Sequence, residues 1–358
     1  MANQKLKICF VLDHPLHHYR VVFFKKLLES GVDLTIFHPG VAGEYSFKDF
    51  SVPMKRKWGF ICVPYIPFDK FDVVVHMQNL RMMSLWKSLI SSNAVFTWGI
   101  GTSSAKGLGS ENKLIRVLRN SVILFTKRTF FYSNFPVPLV PNSLRHKVRV
   151  AINTVHVDSN FYCLNQGALR NKILCIGTLN ERKGLRYVFE SFAELAEKNP
   201  DIRHEFGVDV VGDGPEYERL VDLAKKLGID QCVTFFGRIT DEVEKAEIYS
   251  RALVSCSPCQ AGLSVLESLG HGVPFLTLRS AISGGEHFNI ESGETGWLVD
   301  DIDSLTRHLE YILSHKDELL RMGDASYRWY QEFGTVDKMV APFLEEFENV
   351  KAKKKTKI

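Results

Sequence analysis

The stretch Ile173-Leu174-Cys175-Ile176-Gly177-Thr178-Leu179-Asn180-Glu181-Arg182-Lys183-Gly184 holds a strand, a glycine turn and the approach to a helix. Its apolar run is of strand length and ends at Gly177, two cations follow, and Gly184 leads into the helical period of Leu185–Glu197. The pattern then repeats. Strand Val208–Val211 precedes helix Glu216–Leu227, Val233–Phe236 precedes Asp241–Ser250, Ala252–Ser255 precedes Leu263–Leu269, and Phe275–Leu278 closes the series. Strands alternating with helices specify an α/β protein with a parallel, doubly wound sheet.

Upstream lies a second series of the same kind. Its expected strands are Lys7–Leu12, Val32–His38, Val73–Met77, Ala94–Trp98 and Val122–Phe125, with helices at Val21–Glu29, Leu80–Ile90 and Glu111–Arg119. Residues 41–70 fit no clear period and read as a long loop or an excursion from the sheet. The seam is expected within residues 155–171, where Asp158, Ser159, Asn160, Asn165 and Gly167 cluster. Two Rossmann-like domains follow, 1–165 and 166–334. Residues 335–350 are expected as a helix crossing back to the first domain, and 351–358 as a basic tail.

With 358 residues, 45% hydrophobic and 24% charged, the chain has the composition of a folded protein long enough for two cores. Its net charge of +4 hides a division. Residues 1–165 carry +12, residues 166–350 carry −13, and the tail adds five lysines. The basic front half suits an anionic partner, but it shows no nucleic-acid-binding module. Seven cysteines without framework spacing read as reduced thiols, Cys256 and Cys259 included, and Cys9, Cys62, Cys175 and Cys232 as small core residues. The apolar run Ile8–Leu12 stops at Asp13, far short of a secretion signal, and no stretch has the ~20 apolar residues a bilayer span needs. A cytoplasmic protein is expected, with any membrane contact peripheral.

Open parallel sheets bind ligands beyond the carboxyl ends of their strands, where glycine turns bring backbone N–H groups close to a phosphate. Three turns of the second series qualify: Gly177–Gly184 with Thr178, Arg182 and Lys183; Gly212-Asp213-Gly214-Pro215; and Gly262, Leu263 and Ser264 opening a short helix that carries Glu267. Arg182 and Lys183 could hold a diphosphate, and Glu267 could accept hydrogen bonds from ribose hydroxyls. Each alone reads equally as a solvated loop or helix residue. In the first half, His76 at a strand end reads either as a site group or as a core histidine. The first half has no strand-linked GxGxxG, which argues against a nicotinamide enzyme.

In order and spacing these turns resemble the retaining GT-B glycosyltransferases of family 4, the group 1 type, in the branch serving bacterial surface-polysaccharide and lipopolysaccharide assembly. The G-x-L-x-x-x-K-G loop is matched by Gly177, Leu179, Lys183 and Gly184. A GDGP-like turn at 212–215, Val233–Arg238, the G-L-x-x-L-E helix at 262–267, Gly284-Gly285-Glu286 and Thr295–Val299 follow in register. His18-Tyr19-Arg20 resembles the family's H-Y-R, Trp98-Gly99-Ile100-Gly101 its W-G-H-G, and Ala151-Ile152-Asn153-Thr154 its A-P-N-T.

The resemblance implies two Rossmann-like domains facing across a cleft and a hexosyltransferase-type enzyme that needs no metal or other cofactor. Its donor would be a nucleotide-sugar of UDP or GDP type, held by Gly177, Thr178, Gly212, Gly262, Leu263, Ser264, Glu267 and Glu286. Arg182, Lys183 and His18 would serve catalysis. Arg20, His76, Gly99 and Ile100 would face a saccharide or lipid-linked saccharide acceptor. Docking on the anionic inner face of the cell membrane is expected through Lys55, Arg56, Lys57, Trp58 and Phe60 and through Lys113, Arg116, Arg119, Lys127 and Arg128. Three positions depart from the family pattern: Cys259 stands for the first glutamate of E-x7-E, Ile100 for a histidine, and Thr178 for a frequent arginine. They motivate the alternative of a catalytically silent homologue acting as an assembly subunit.

Overall fold

Short runs of Val, Ile, Leu and Phe that are apolar on both faces are stable only in sheets covered by helices on both sides. The computed structural model describes residues 5–90, 94–102, 111–164 and 169–355. It divides the chain into two units that each use this solution, Met1–His156 with Val336–Ile358, and Val157–Thr335. Asn165 and Gly167 of the expected seam lie outside the described residues.

In the first unit the strands are β1 (Lys7–Val11), β2 (Asp33–His38), β3 (Lys48–Ser51), β4 (Lys55–Lys57), β5 (Phe60–Cys62), β6 (Val73–Met77), β7 (Ala94–Gly99), β8 (Arg128–Phe131) and β9 (Val148–Val150). Seven of them form a parallel sheet in the order β3-β2-β1-β6-β7-β8-β9. The irregular 41–70 stretch supplies edge strand β3 and the hairpin β4–β5. Trp58 and Gly59 at the hairpin tip both have positive φ, 51° and 82°, as a tight two-residue turn requires.

The expected strand Val122–Phe125 is instead the last turn of the helix Lys113–Phe125, and the strand comes later, at β8. Val122 and Ile123 are buried while Leu124 and Phe125 are exposed, so this helix is apolar on its outer face too. That gives it the continuous apolar run of a strand.

The helix Val336–Lys355 closes the first unit's core. Phe343 is fully buried there, its ring 3.9 Å from that of Phe130 and 5.4 Å from that of Phe23. Glu346 on the same helix takes Arg128 at 2.5 Å and Arg149 at 3.0 Å. The expected separate tail is part of this helix through Lys355, with Lys354 paired to Asp72.

The second unit holds β10 (Lys172–Ile176), β11 (Gly207–Val211), β12 (Val233–Gly237), β13 (Ala252–Cys256), β14 (Phe275–Leu278) and β15 (Gly296–Val299). They form a parallel sheet ordered β12-β11-β10-β13-β14-β15. In both sheets the chain builds outward from the first strand on one side and then crosses to its other side. The reversal falls between β1 and β6 and between β10 and β13, and such switch points open a crevice beyond the strand ends.

Candidate functional site

At the carboxyl ends of β10 and β11 two turns lie in van der Waals contact. Gly177 and Gly212 have φ of 122° and 136°, and a Cβ on Gly212 would collide with the carbonyl oxygen of Gly177. Gly177 N–H donates to Val211 O, and Gly212 N–H to Gly237 O. With Thr178, Asp213, Gly214 and Arg238 these glycines line a cavity of about 420 Å³. Glycine is required at 212 because backbone fills the space a side chain would take, and at 177 by its positive φ and by the Lys183 side chain lying against it.

Beyond Gly177 the chain makes one 3-10 turn, Glu181–Lys183, and the expected cation pair separates on it. Lys183 turns inward, buried, and its Nζ donates to Ile176 O at 2.8 Å. Burial pulls its pKa below the usual lysine value, with the Cys175 thiol and then Glu267 acting in the opposite sense. Arg182 is exposed and has no hydrogen bond or ion pair among the described residues, since a three-residue turn puts neighbouring side chains on different sides.

The loop after β13 meets this turn across the switch point. Cys259 N–H donates to Lys183 O at 3.1 Å, and the Cys259 thiol occupies the space a Cβ on Gly184 would need. Cys256 and Cys259 are both free thiols. Gly262 has open space above it, and Leu263 and Ser264 are half-buried at the start of the helix Ser264–Gly270. On that helix Glu267 is held by Lys245, 2.6 Å from Nζ to Oε1, and Lys245 also takes Glu242 at 3.0 Å. Glu286 is buried and accepts from Ser283 Oγ at 2.9 Å. Lys245 and Ser283, which the motifs do not mark, thus orient the two marked glutamates.

The first unit has its own cavity, about 650 Å³, at the carboxyl ends of β1, β6 and β7. Arg20, Gly99 and Ile100 line it, together with Arg119, expected on the membrane-docking face, and Asp13, Gln78, Asn79, Tyr132 and Asn153, which sequence reasoning did not assign to a site. Asn79 Nδ2 donates to Asp13 Oδ2 at 2.8 Å, joining the loops on either side of the switch point. Arg20 is only 3% exposed. Its Nη2 donates to Asn153 Oδ1, and its guanidinium lies 4.7 Å from the Trp98 ring centroid.

Neither expected histidine lines this cavity. His18 is exposed at the first turn of its helix, on the side away from Arg20, and His14 lines the cavity instead. His76 is sealed inside the sheet, with Nδ1 bonded to Met77 O at 2.9 Å and Nε2 to Ser84 Oγ at 2.8 Å. Side chains alternate along β6, so the residue one step before Met77 faces the covering helix rather than the crevice.

Two doubly wound parallel sheets, one per unit, with a final helix returning to the first, define the GT-B fold. Residues 165–329 match the family described as glycosyl transferases group 1. An uncharacterised glycosyltransferase of Haemophilus influenzae is 30% identical over 188 residues, 51% of this chain and 49% of that protein. The lipopolysaccharide core biosynthesis glycosyltransferase LpsE of Rhizobium meliloti is 27% identical over 157 residues, 43% of each. The chain spans about half the length of the curated relatives it matches, or less. Among solved structures, Anabaena HepE in complex with UDP superposes with a TM-score of 0.70 at 12% identity, over 96% of this chain and 100% of that one. That likeness concerns the fold.

Each unit buries a neutral histidine. Burial lowers the pKa of His76 to about 4 and that of His271, stacked on Tyr249, to about 3, where Lys245 adds to the effect. In the unfolded chain both gain a proton near the ordinary value of ~6.5, so stability is complete above that pH and is lost as pH falls toward 4. For His76 the loss is on the order of 3 kcal/mol. Calorimetric unfolding from about pH 7.5 down to about pH 4.5 is expected to show falling stability, with a shallower fall for His76→Gln. Equal slopes for the two proteins would contradict the assignment.

Proposed function

We propose that this chain is a retaining glycosyltransferase of bacterial surface-polysaccharide or lipopolysaccharide assembly, with a nucleotide-sugar of UDP or GDP type held by the second unit. The observation that carries the reading is the contact between the Gly177 and Gly212 turns, with Lys183 fixed behind them and the Cys259 loop bonded alongside. The group 1 match over this unit supports it. Supporting it further, the Anabaena protein of the same fold is described in complex with UDP.

In this reading the bond from the anomeric carbon to the donor phosphate breaks while a bond to the acceptor hydroxyl oxygen forms on the same face. The departing phosphate oxygen takes the hydroxyl proton, so neither His18 nor His76 is needed as a base, and no metal or other cofactor takes part. The charge left on the diphosphate is met by Lys183 and by the backbone N–H groups at Gly262–Ser264, donors already aimed before the reaction. Arg182 lies outside this set. Glu267, with Oε1 held by Lys245, keeps Oε2 for ribose hydroxyls, and Glu286, oriented by Ser283, serves the donor sugar. The first unit's cavity would take a saccharide or lipid-linked saccharide acceptor. The alternative, a silent assembly subunit, draws on the Cys259 thiol packed over Gly184, and it predicts nucleotide binding without turnover.

Peripheral docking on an anionic membrane surface belongs to the same proposal. No helix among the described residues is long and apolar enough to cross a membrane. The helix Lys113–Phe125, however, exposes Leu114, Val117, Leu118, Leu124 and Phe125 beside Lys113, and the β4–β5 hairpin exposes Trp58 beside Lys55–Lys57. Apolar side chains flanked by cations fit an anionic lipid interface. Arg119 and Arg128 do not take part, because Glu111 and Glu346 hold them.

UDP- or GDP-sugars are expected to raise the unfolding temperature, by an amount equivalent to about 2.7 kcal/mol at a hundredfold excess over Kd, and Lys183→Ala to remove the rise. A rise that survives Lys183→Ala, or none with either donor type, would defeat the reading. Vesicles containing phosphatidylglycerol should sediment the protein while phosphatidylcholine vesicles leave it in solution. Leu114→Ser with Phe125→Ser should cut the bound fraction several-fold; unchanged sedimentation would remove the helix from the docking face.

A further inference from the structure

We infer that the first unit's cavity is built for an oxyanion, a carboxylate or a phosphate carried by the acceptor, with Arg20 as its anchor. The inference rests on the reading of this cavity as the acceptor site and names the chemistry of what enters it. Arginines are seldom buried without a carboxylate, because an uncompensated charge inside a protein is among the most costly features a fold can carry. Arg119 and Arg128 in the same unit obey this rule, being paired with Glu111 and Glu346. Arg20 does not. It is 3% exposed and has no carboxylate partner among the described residues. Its guanidinium has five N–H donors. Nη2 uses a donor on the neutral amide of Asn153, and Nη1 only meets the Met339 sulfur at 3.6 Å.

The surroundings hold this cation in place without neutralising it. Tyr19, Trp98 and Tyr132 put their rings 5.3, 4.7 and 5.6 Å from the guanidinium carbon, which stabilises the charge and leaves its donors to the cavity. Of the two acids of the lining, Glu111 is paired with Arg119 and Asp13 accepts from Asn79, and neither forms an ion pair with Arg20.

A second observation, independent of Arg20, points the same way. Gln78 lines the same cavity, and Arg119 Nη1 approaches its Oε1 at 3.4 Å, which fixes the amide with its NH2 group turned away from Arg119. Among the described residues that Nε2 is buried without a partner, and so is Thr102 Oγ1 on the same wall. A cavity with an uncompensated guanidinium, a free amide donor and a free hydroxyl lacks acceptors. An oxyanion supplies them.

The test compares three probes of similar size on the full chain, glucose 1-phosphate, glucuronate and glucose, by isothermal titration. At least one of the two anions is expected to bind ten-fold or more tightly than glucose, and the stronger one identifies the group as phosphate or carboxylate. Arg20→Met should erase the preference. Asn153→Asp, which supplies the missing carboxylate from within and leaves the packing in place, should erase it too, so the outcome does not hang on the folding of one variant. Equal binding of all three probes, or a preference that survives both substitutions, overturns the inference; survival would put phosphate binding elsewhere on the chain. The thermal response of the unmodified protein to UDP reports separately on the glycosyltransferase reading. If it is absent while the Arg20-dependent preference remains, that reading fails and the anion site stands.

Discussion

The close approach of two backbone turns, at Gly177 and Gly212, is the constraint on which the second unit's site depends. Neither position tolerates a side chain, because the Gly177 carbonyl occupies the room a Cβ on Gly212 would need, and the Lys183 side chain the room a Cβ on Gly177 would need. The contact brings the ends of β10 and β11 together and leaves backbone N–H groups beside an open space. Lys183 reinforces it by bonding the last carbonyl of β10, and the Cys259 loop then attaches to Lys183 across the switch point. A lysine held this way stays in place when an anion arrives. Little reorganisation is then needed at the moment charge develops, which is where such sites gain their advantage.

The first unit reaches a comparable result by different means. Its core is aromatic, with Phe10, Phe23, Trp98, Phe130 and Phe343 in mutual contact, and the last of these arrives on a helix from the far end of the chain. Trp98 serves both core and cavity, one side against Phe23 and the other under Arg20. Packing and site are therefore coupled there. A change at Phe343 would disturb the rings that hold the guanidinium, whereas the second unit's site depends chiefly on backbone geometry.

Much of this was legible in the sequence. The second series of strands and helices appears where its periodicity put it, because each apolar run there is short and the first three, β10, β11 and β12, end at a glycine. Reading failed where that grammar lapses. The outer face of the helix Lys113–Phe125 is apolar, so its last turn resembled a strand, and β3 and the β4–β5 hairpin lay hidden in a stretch without period. Among site residues, the glycines were readable because turn geometry demands them. The orientation of a side chain on a strand or a short turn was not, and so His76 was sealed in the core and Arg182 parted from Lys183. Of the partners that complete the sites, Lys245 and Asn153 come from distant parts of the chain and carry no local signal of that role, and Ser283 lies three residues before the glutamate it orients.

Amide hydrogen exchange with and without UDP tests the central claim most directly, because it reports on the turns themselves. The structure calls for slower exchange at residues 177–184, 212–216 and 262–267 when UDP is present, with the amides of β14 and of the first unit's sheet unchanged. Slowing confined to other segments, or none at saturating UDP, would contradict the claim that these turns together form a diphosphate site.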